Sequence, residues 1–168
     1  AARTDAEGNP VLLNQQNRAR WDHLLIRRGL AALERAEALG PSAGSYRLQA
    51  EIAACHARSP TAEATDWPRI AALYAQLMRV APSPVVELNR AVAMGMSEGP
   101  AAGLTIVETL MQDKALPRYH WLHAVRGDLL EKLGRGEEAR AAFRQAAALS
   151  ENQREKKLLT QRAGGPAA

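Results

Sequence analysis

Small and bulky residues recur in this sequence with the same spacing, and this recurrence limits the folds that the chain can adopt. The clearer copy has these residues at four positions: Gly127, Leu130, Ala139 and Phe143. A shift of 36 residues finds small or apolar residues at the same positions: Ala91, Met94, Gly103 and Val107. Small side chains let two helices approach closely, and bulky side chains fill the space beside them. The recurrence therefore predicts antiparallel helical hairpins with a common period.

This spacing resembles the tetratricopeptide repeat, whose template reads W-x₂-L-G-x₂-Y…A-x₃-F. The better copy departs from it, because His123, Arg126 and Leu130 stand where the template has Trp, Leu and Tyr. A third, weaker copy keeps the spacing of the second helix at four positions: Ile70, Tyr74, Leu77 and Pro82. Stacked hairpins bury a continuous core and expose a groove lined by the first helix of each pair. The predicted fold class is all-α, a tetratricopeptide-like array of antiparallel helical hairpins with an N-terminal arm.

Turn and capping residues divide the chain into about eight predicted helices. These helices span residues 14–40, 46–56, 66–80, 84–94, 100–113, 117–133, 137–149 and 152–162. Thr65 or Asp66 caps the third helix, and Asn152 caps the eighth. In the first helix, apolar residues that recur near one face are predicted to point inward: Trp21, Leu24, Leu25, Leu30 and Leu33. Residues 1–13 form an arm or small hairpin, or else a partly disordered end; residues 14–162 form the helical domain and residues 163–168 a flexible tail.

The composition favours helices and excludes several classes of protein. Hydrophobic residues make up 46% of the chain but aromatic residues only 4%, so Ala and Leu dominate, and both are strong helix formers. The 22 basic and 18 acidic residues give a net charge of +4, and their interspersed signs are typical of solvated helix faces rather than of a nucleic-acid-binding stripe. No apolar run reaches the ~18–20 residues that span a bilayer, and the N-terminus shows no secretory signal. The lone Cys55 fits a reducing cytoplasm.

Residues that could carry chemistry do not assemble into a recognisable motif. The sequence has no Gly-rich phosphate loop, no zinc-ligand spacing and no Ser/His/Asp set. His120 and His123 lie one helical turn apart, but nothing near them in sequence completes a metal site, so packing histidines are favoured. Cys55-His56 invites a nucleophile interpretation, yet Cys55 falls at core spacing on its helix. We therefore expect no enzyme activity, no metal and no cofactor.

Several strings follow one another in a specific order. They are QNRARWD at 16–22, YRLQAEIAACHA at 46–57, TDW at 65–67, IAALY at 70–74, PSPVVELNRAVA at 82–93, GPAAGL at 99–104 and YH at 119–120. Together they resemble the C-terminal extension of extracytoplasmic-function (ECF) sigma factors that carry a tetratricopeptide-like domain. The resemblance covers nearly the whole chain, and the 82–93 string is its most specific part. The chain departs from the family where Asn14, Gln15 and Asn17 replace three carboxylates, so contacts through those charges do not carry over.

The resemblance implies a function in transcription initiation. The DNA-reading and polymerase-binding sigma regions would precede this fragment and would recruit core RNA polymerase to promoters. The fragment would be a cytoplasmic regulatory or protein-interaction domain whose partners are the sigma regions of the same polypeptide, core RNA polymerase, or a peptide or regulatory protein. It would reach DNA only through the missing regions and would not contact a membrane. The alternative is a free-standing tetratricopeptide adaptor that binds a peptide in its groove.

The candidates for protein contacts are Arg18, Arg20, Trp21, Asp22, Gln49, Asp66, Trp67, Asn89, Arg90 and His120. The 18–22 stretch either docks against the sigma regions or is the plain start of an amphipathic helix. Asp66-Trp67 either anchors a peptide or, as is more common, combines a helix cap with a core aromatic. Asn89-Arg90 either contacts a peptide, since Arg binds carboxylates with two hydrogen bonds, or bonds to a neighbouring helix.

Overall fold

The regular secondary structure of the described residues is entirely helical. A computed structural model describes residues 13–40, 44–113 and 118–164, together with Ala2, Val11 and Leu116. Its α-helices are α1 (His23–Ala38), α2 (Ser45–Arg58), α3 (Trp67–Val80), α4 (Pro84–Ser97), α5 (Pro100–Leu110), α6 (His120–Lys132), α7 (Gly136–Leu149) and α8 (Gln153–Arg162). Two short 3₁₀ helices, Leu13–Gln15 and Arg18–Arg20, precede α1. No strand occurs in these ranges, so the predicted all-α class of helical hairpins is confirmed.

The chain divides into two compact units, Ala1–Pro82 and Ser83–Ala168. In the first unit, α2 and α3 pack against each other as a hairpin, and α1 packs against α2. The buried apolar residues of this unit are Leu33, Leu48, Ile52, Ala54, Ile70, Ala71, Leu73 and Leu77. The weak third copy of the repeat is therefore a real hairpin, whose second helix buries two of its predicted positions, Ile70 and Leu77.

The first predicted helix is wrong at its start and over part of its apolar face. It begins at His23 rather than at Asn14, because Asp22 Oδ1 accepts the Leu25 N–H at 2.9 Å and so starts a new helix. Asn and Asp side chains compete for backbone N–H groups in this way and favour helix ends over helix interiors. Leu24 and Leu25, predicted to point inward, are 50% and 62% exposed.

The second unit contains two hairpins, α4 with α5 and α6 with α7, and α8 packs against α7. The repeat positions lie at the close approaches between these helices. A Cβ atom on Gly103 would lie 2.6 Å from the Ala91 carbonyl oxygen, and one on Gly127 would lie 2.5 Å from the ring of Phe143. Both spaces are too small for any side chain, which explains why small residues recur after 36 positions. Phe143 itself is fully buried, as predicted.

Most other helix ends follow the predicted chemistry. Asp66, one of the two predicted candidates, caps α3 by accepting the Arg69 N–H at 3.0 Å, and Asn152 caps α8. By contrast, α4 continues past the predicted end at Met94 to Ser97. Gly95 lies inside this helix, and its missing side chain leaves space for Leu129. The helix predicted from 100 to 113 ends at Leu110, and the one predicted from 117 begins at His120.

The predicted arm over residues 1–13 and the predicted tail over residues 163–168 lie largely outside the described residues. Of the tail, Ala163 and Gly164 are described, and Ala163 is buried at the end of α8. Among the helices that are described, none is both long enough and apolar enough to cross a bilayer.

Candidate interaction site around Arg18

Arg18 is the centre of a buried polar site in the first unit. Only 7% of its surface is exposed. Its Nη1 donates to the carbonyl oxygens of His56 at 2.9 Å and Ser59 at 2.8 Å, and its Nη2 donates to Thr65 Oγ1 at 3.0 Å. A planar guanidinium suits this task, because its rigid fork can reach acceptors in several directions at once. Arg18 thus fastens the segment before α1 to the end of α2 and to the loop that leads into α3.

The end of α2 explains why its carbonyl oxygens need an outside donor. In a continuing helix the His56 carbonyl would accept from the residue four positions later, but that residue is Pro60, which has no N–H. Arg18 supplies the missing donor. The Cys55 carbonyl, one position earlier, accepts from Ser59 Oγ at 2.8 Å instead. A cation at a helix C-terminus is also stabilised by the helix dipole, which offsets part of the Arg18 charge.

The Arg18 charge has no ion-pair partner among the described residues. The guanidinium carbon lies 5.0 Å from the centre of the Trp21 ring, which adds a cation–π contact. Exposed Glu63 is near enough to feel the charge: its pKa is lowered by hydrogen bonds from its own backbone and from Thr61 and, less strongly, by Arg18. The site therefore holds its cation with neutral acceptors and an aromatic face.

Trp21 is held in turn by Gln16. Trp21 Nε1 donates to Gln16 Oε1 at 3.2 Å, and Gln16 Nε2 donates to the Val11 carbonyl oxygen at 3.1 Å. Asn17 caps the second 3₁₀ helix by accepting the Ala19 N–H at 3.0 Å. Residues 16–22 therefore form a defined turn structure, and the amphipathic helix begins only after them, at His23.

His56 lies between Arg18 and Trp67. Its ring meets the Trp67 ring edge-on, with the two ring centres 5.3 Å apart. Burial, and after it the Arg18 charge, lowers the pKa of the His56 imidazole, so His56 is neutral near pH 7. Three buried polar atoms at this site have no hydrogen-bond partner among the described residues: Arg18 Nε, His56 Nδ1 and Trp67 Nε1.

A cleft of about 960 Å³ opens beside this site, between the segment that precedes α1, the start of α1 and the end of α2. Its walls are largely apolar and include Leu25, Ile26, Ala53 and Ala57. Trp21, Arg20, Asp22 and His56 line it as well. Such a concave, mostly apolar surface with a few polar groups is the usual form of a binding site.

The structure brings some of the predicted contact residues together and separates others. Arg18, Arg20, Trp21 and Asp22 form the site and its cleft, while Trp67 is half-buried against His56. Asp66 caps α3, and Gln49 is exposed on α2. Asp66-Trp67 thus combines a cap with a half-buried aromatic, the more common of the two interpretations.

The remaining candidates belong to the second unit. Arg90 makes a two-pronged contact with Glu87 of its own helix, at 2.8 and 2.7 Å, and Asn89 is exposed. Arg90 therefore bonds within its own helix and not to a neighbouring helix. His120 Nε2 lies 3.1 Å from Glu155 Oε2 and so joins α6 to α8.

Sequence reasoning missed His56, Ser59 and Thr65 as partners of Arg18. Two of these three contacts use backbone carbonyls, which leave no side-chain signature. Cys55 was considered as a nucleophile, but burial raises the pKa of its thiol, which makes it a poorer one. Within the described ranges, no three His, Cys, Asp or Glu side chains converge in a way that could hold a metal ion.

Comparisons with known proteins place this chain beside others of unknown function. Residues 1–37 match a family of unknown function (DUF6596), and this range contains Gln16, Arg18 and Trp21. An uncharacterized protein of Rhizobium meliloti (strain 1021) is 48% identical over 151 residues, which cover 90% of this chain and 35% of that protein. The chain thus spans about a third of the length of the curated relative that it matches.

Proposed function

We propose that this chain is the C-terminal protein-interaction domain of an ECF sigma factor. One observation carries the proposal: three of the strings that resemble this family meet at the Arg18 site. Arg18 comes from the 16–22 string, His56 from the 46–57 string and Thr65 from the 65–67 string, and hydrogen bonds of 2.9 and 3.0 Å join them. A generic helical repeat does not require strings far apart in sequence to build one site. The relative of about two and a half times the length agrees with a domain that belongs to a longer protein.

The domain would act by holding other proteins. Its partners would be the sigma regions of the same polypeptide or core RNA polymerase in the cytoplasm, and it would reach DNA only through those sigma regions. Many of its arginines are already paired with carboxylates: Arg47, Arg69, Arg90, Arg126, Arg135, Arg140 and Arg162. Paired cations release few counterions and contribute little to binding a phosphate backbone. These seven arginines would therefore contribute little to a direct contact with DNA.

The test uses the full-length parent protein with and without the segment Ala1–Ala168. Both forms are assayed for capture of core RNA polymerase and for transcription from the promoter of the parent protein, and circular dichroism checks that the sigma regions stay folded. We expect deletion to change transcription. Unchanged capture and unchanged transcription, or a parent protein without a helix-turn-helix region upstream of Ala1, would contradict the proposal.

A free-standing adaptor is the second candidate, and the cleft beside Arg18 favours it, because an adaptor needs a peptide-sized concave surface. The two candidates differ in what precedes Ala1 in the gene. A start codon close upstream supports the adaptor, whereas a helix-turn-helix coding region supports the sigma factor.

A further inference from the structure

The cleft beside Arg18 has the apolar character of a docking site for a large side chain. Leu25, which lines it, is 62% exposed, and Leu24 beside it is 50% exposed. Ala53 and Ala57 on the opposite side belong to α2 and are small, which leaves room between the walls. Exposed leucines next to a concave surface stabilise a complex when a partner removes them from water.

The segment 16–28, which contributes one side of the cleft, is rich in cations. It contains Arg18, Arg20, Arg27 and Arg28 but a single carboxylate, Asp22. Of these charged residues Arg20 and Asp22 line the cleft, and the Asp22 carboxylate is engaged as the cap of α1. None of these arginines forms an ion pair within the described part of the chain. Arg20 both lines the cleft and is exposed, so its guanidinium can meet a ligand.

A second cleft, in the other unit, shows that this charge pattern is not general. It is lined by Leu104, Glu108 and Arg135 among others. There Glu108 pairs with Arg126 at 2.9 Å, and Arg135 pairs with Glu138 at 2.7 Å. Its charged side chains are thus already paired, whereas Arg20 is exposed and has no ion-pair partner among the described residues.

We propose that the cleft beside Arg18 binds an acidic peptide segment of a partner protein, with a large apolar side chain in the cleft and a neighbouring carboxylate on Arg20. The apolar side chain covers Leu25 and Ile26, and the carboxylate accepts two hydrogen bonds from the guanidinium. This inference rests on the proposed function in that the domain must bind a protein, and it names the chemistry of the segment that is bound.

The experiment measures binding of a fluorescein-labelled peptide, Gly-Ser-Asp-Phe-Leu-Asp-Ser-Gly, to the full chain by fluorescence anisotropy. A second peptide with Asn in place of both Asp residues is the charge control. We expect the acidic peptide to bind about tenfold more tightly than its amide counterpart, since a charged hydrogen-bonded contact is worth about 1.4 kcal/mol or more.

Variants locate the contact. Arg20→Gln should remove most of this preference while leaving the weak binding of the amide peptide, and Leu25→Ser should weaken both peptides. Arg35→Gln is the matched control, because Arg35 is an exposed arginine of α1 that does not line the cleft, and it should leave the affinity for both peptides unchanged. Arg20 and Leu25 are both exposed, so these variants are expected to fold, and circular dichroism checks this.

Several outcomes would overturn the inference. They are equal affinity for both peptides, no binding of either, and an undiminished preference in Arg20→Gln. The same holds if single-stranded RNA or anionic vesicles bind through Arg20 and compete with the peptide, or if sedimentation shows a dimer that Leu25→Ser dissociates, because the cleft then serves another occupant. None of these results affects the polymerase-capture assay, so the two proposals fail separately.

Discussion

Arg18→Met tests the polar site most directly. Methionine keeps an unbranched apolar stem but donates no hydrogen bond, so the carbonyl oxygens of His56 and Ser59 and the Thr65 hydroxyl each lose a donor. A hydrogen bond from a charged donor contributes about 1.5–3 kcal/mol, and an unsatisfied buried acceptor costs about 1–3 kcal/mol. The losses do not add in full, because the desolvation cost of the guanidinium disappears with it and Thr65 keeps its contact with the Thr61 carbonyl at 3.3 Å. We expect the free energy of unfolding of the first unit to fall by about 2–4 kcal/mol.

Tryptophan fluorescence can follow that unit alone. Trp21 and Trp67 belong to the first unit and Trp121 to the second, so urea unfolding in a Trp121→Phe background reports on the first. Arg20→Met is the matched control, because Arg20 is exposed and bonded to no described side chain, and its effect should stay within about 0.5 kcal/mol. If Arg18→Met also unfolds within about 0.5 kcal/mol of its parent, the three hydrogen bonds do not hold the segment and our account of the site is wrong.

Three further predictions concern packing, titration and capping. Gly127→Ala should destabilise the second unit by about 1–3 kcal/mol in urea unfolding, because its new methyl group would overlap the ring of Phe143. The control is Gly29→Ala, which has open space around it and should stabilise the first unit by about 0.5–1 kcal/mol. Because the pKa of His56 is lowered in the folded chain, the unfolded chain binds a proton on this imidazole more readily than the folded chain does. The free energy of unfolding should therefore fall as the pH drops below 6.5. A His56→Gln variant that keeps the same pH dependence would refute this. Asp66→Ala should cost about 1 kcal/mol through the lost α3 cap, and no change in the urea midpoint would contradict that.

The helical hairpins could be predicted because local chemistry and packing agree there. Gly103 and Gly127 mark close approaches, and the 36-residue repeat that relates them to Ala139 and Ala91 is visible in the sequence before any contact is known. Asp66 and Asn152 cap helices because their side chains accept from N–H groups two or three residues ahead, which is a local effect.

The Arg18 site could not be predicted, because its geometry depends on long-range contacts. Arg18 is 38 residues from His56 and 47 from Thr65, and a sequence pattern gives no measure of such pairings. The predicted start of α1 was wrong for a different reason. An apolar period over 14–40 outweighed Asn17 and Asp22, whose side chains cap the starts of the second 3₁₀ helix and of α1. Pro60 was the available signal, since it deprives the His56 carbonyl of a helical donor and so indicates that a donor must come from elsewhere.

The amides of the 16–22 string connect the fold of the site to the partner that it suits. Gln16 accepts from Trp21 and also donates to the Val11 carbonyl, and a carboxylate could do only the first. Asn17 stands where the resembling family has a carboxylate, and as a cap the two are nearly equivalent. The exchange therefore preserves the turn while it removes a negative charge next to Arg18. A carboxylate at position 17 would offset part of the positive charge of the segment 16–28, which contains Arg18 and Arg20. The amide leaves this segment cationic. A cationic surface selects an acidic partner over a basic one.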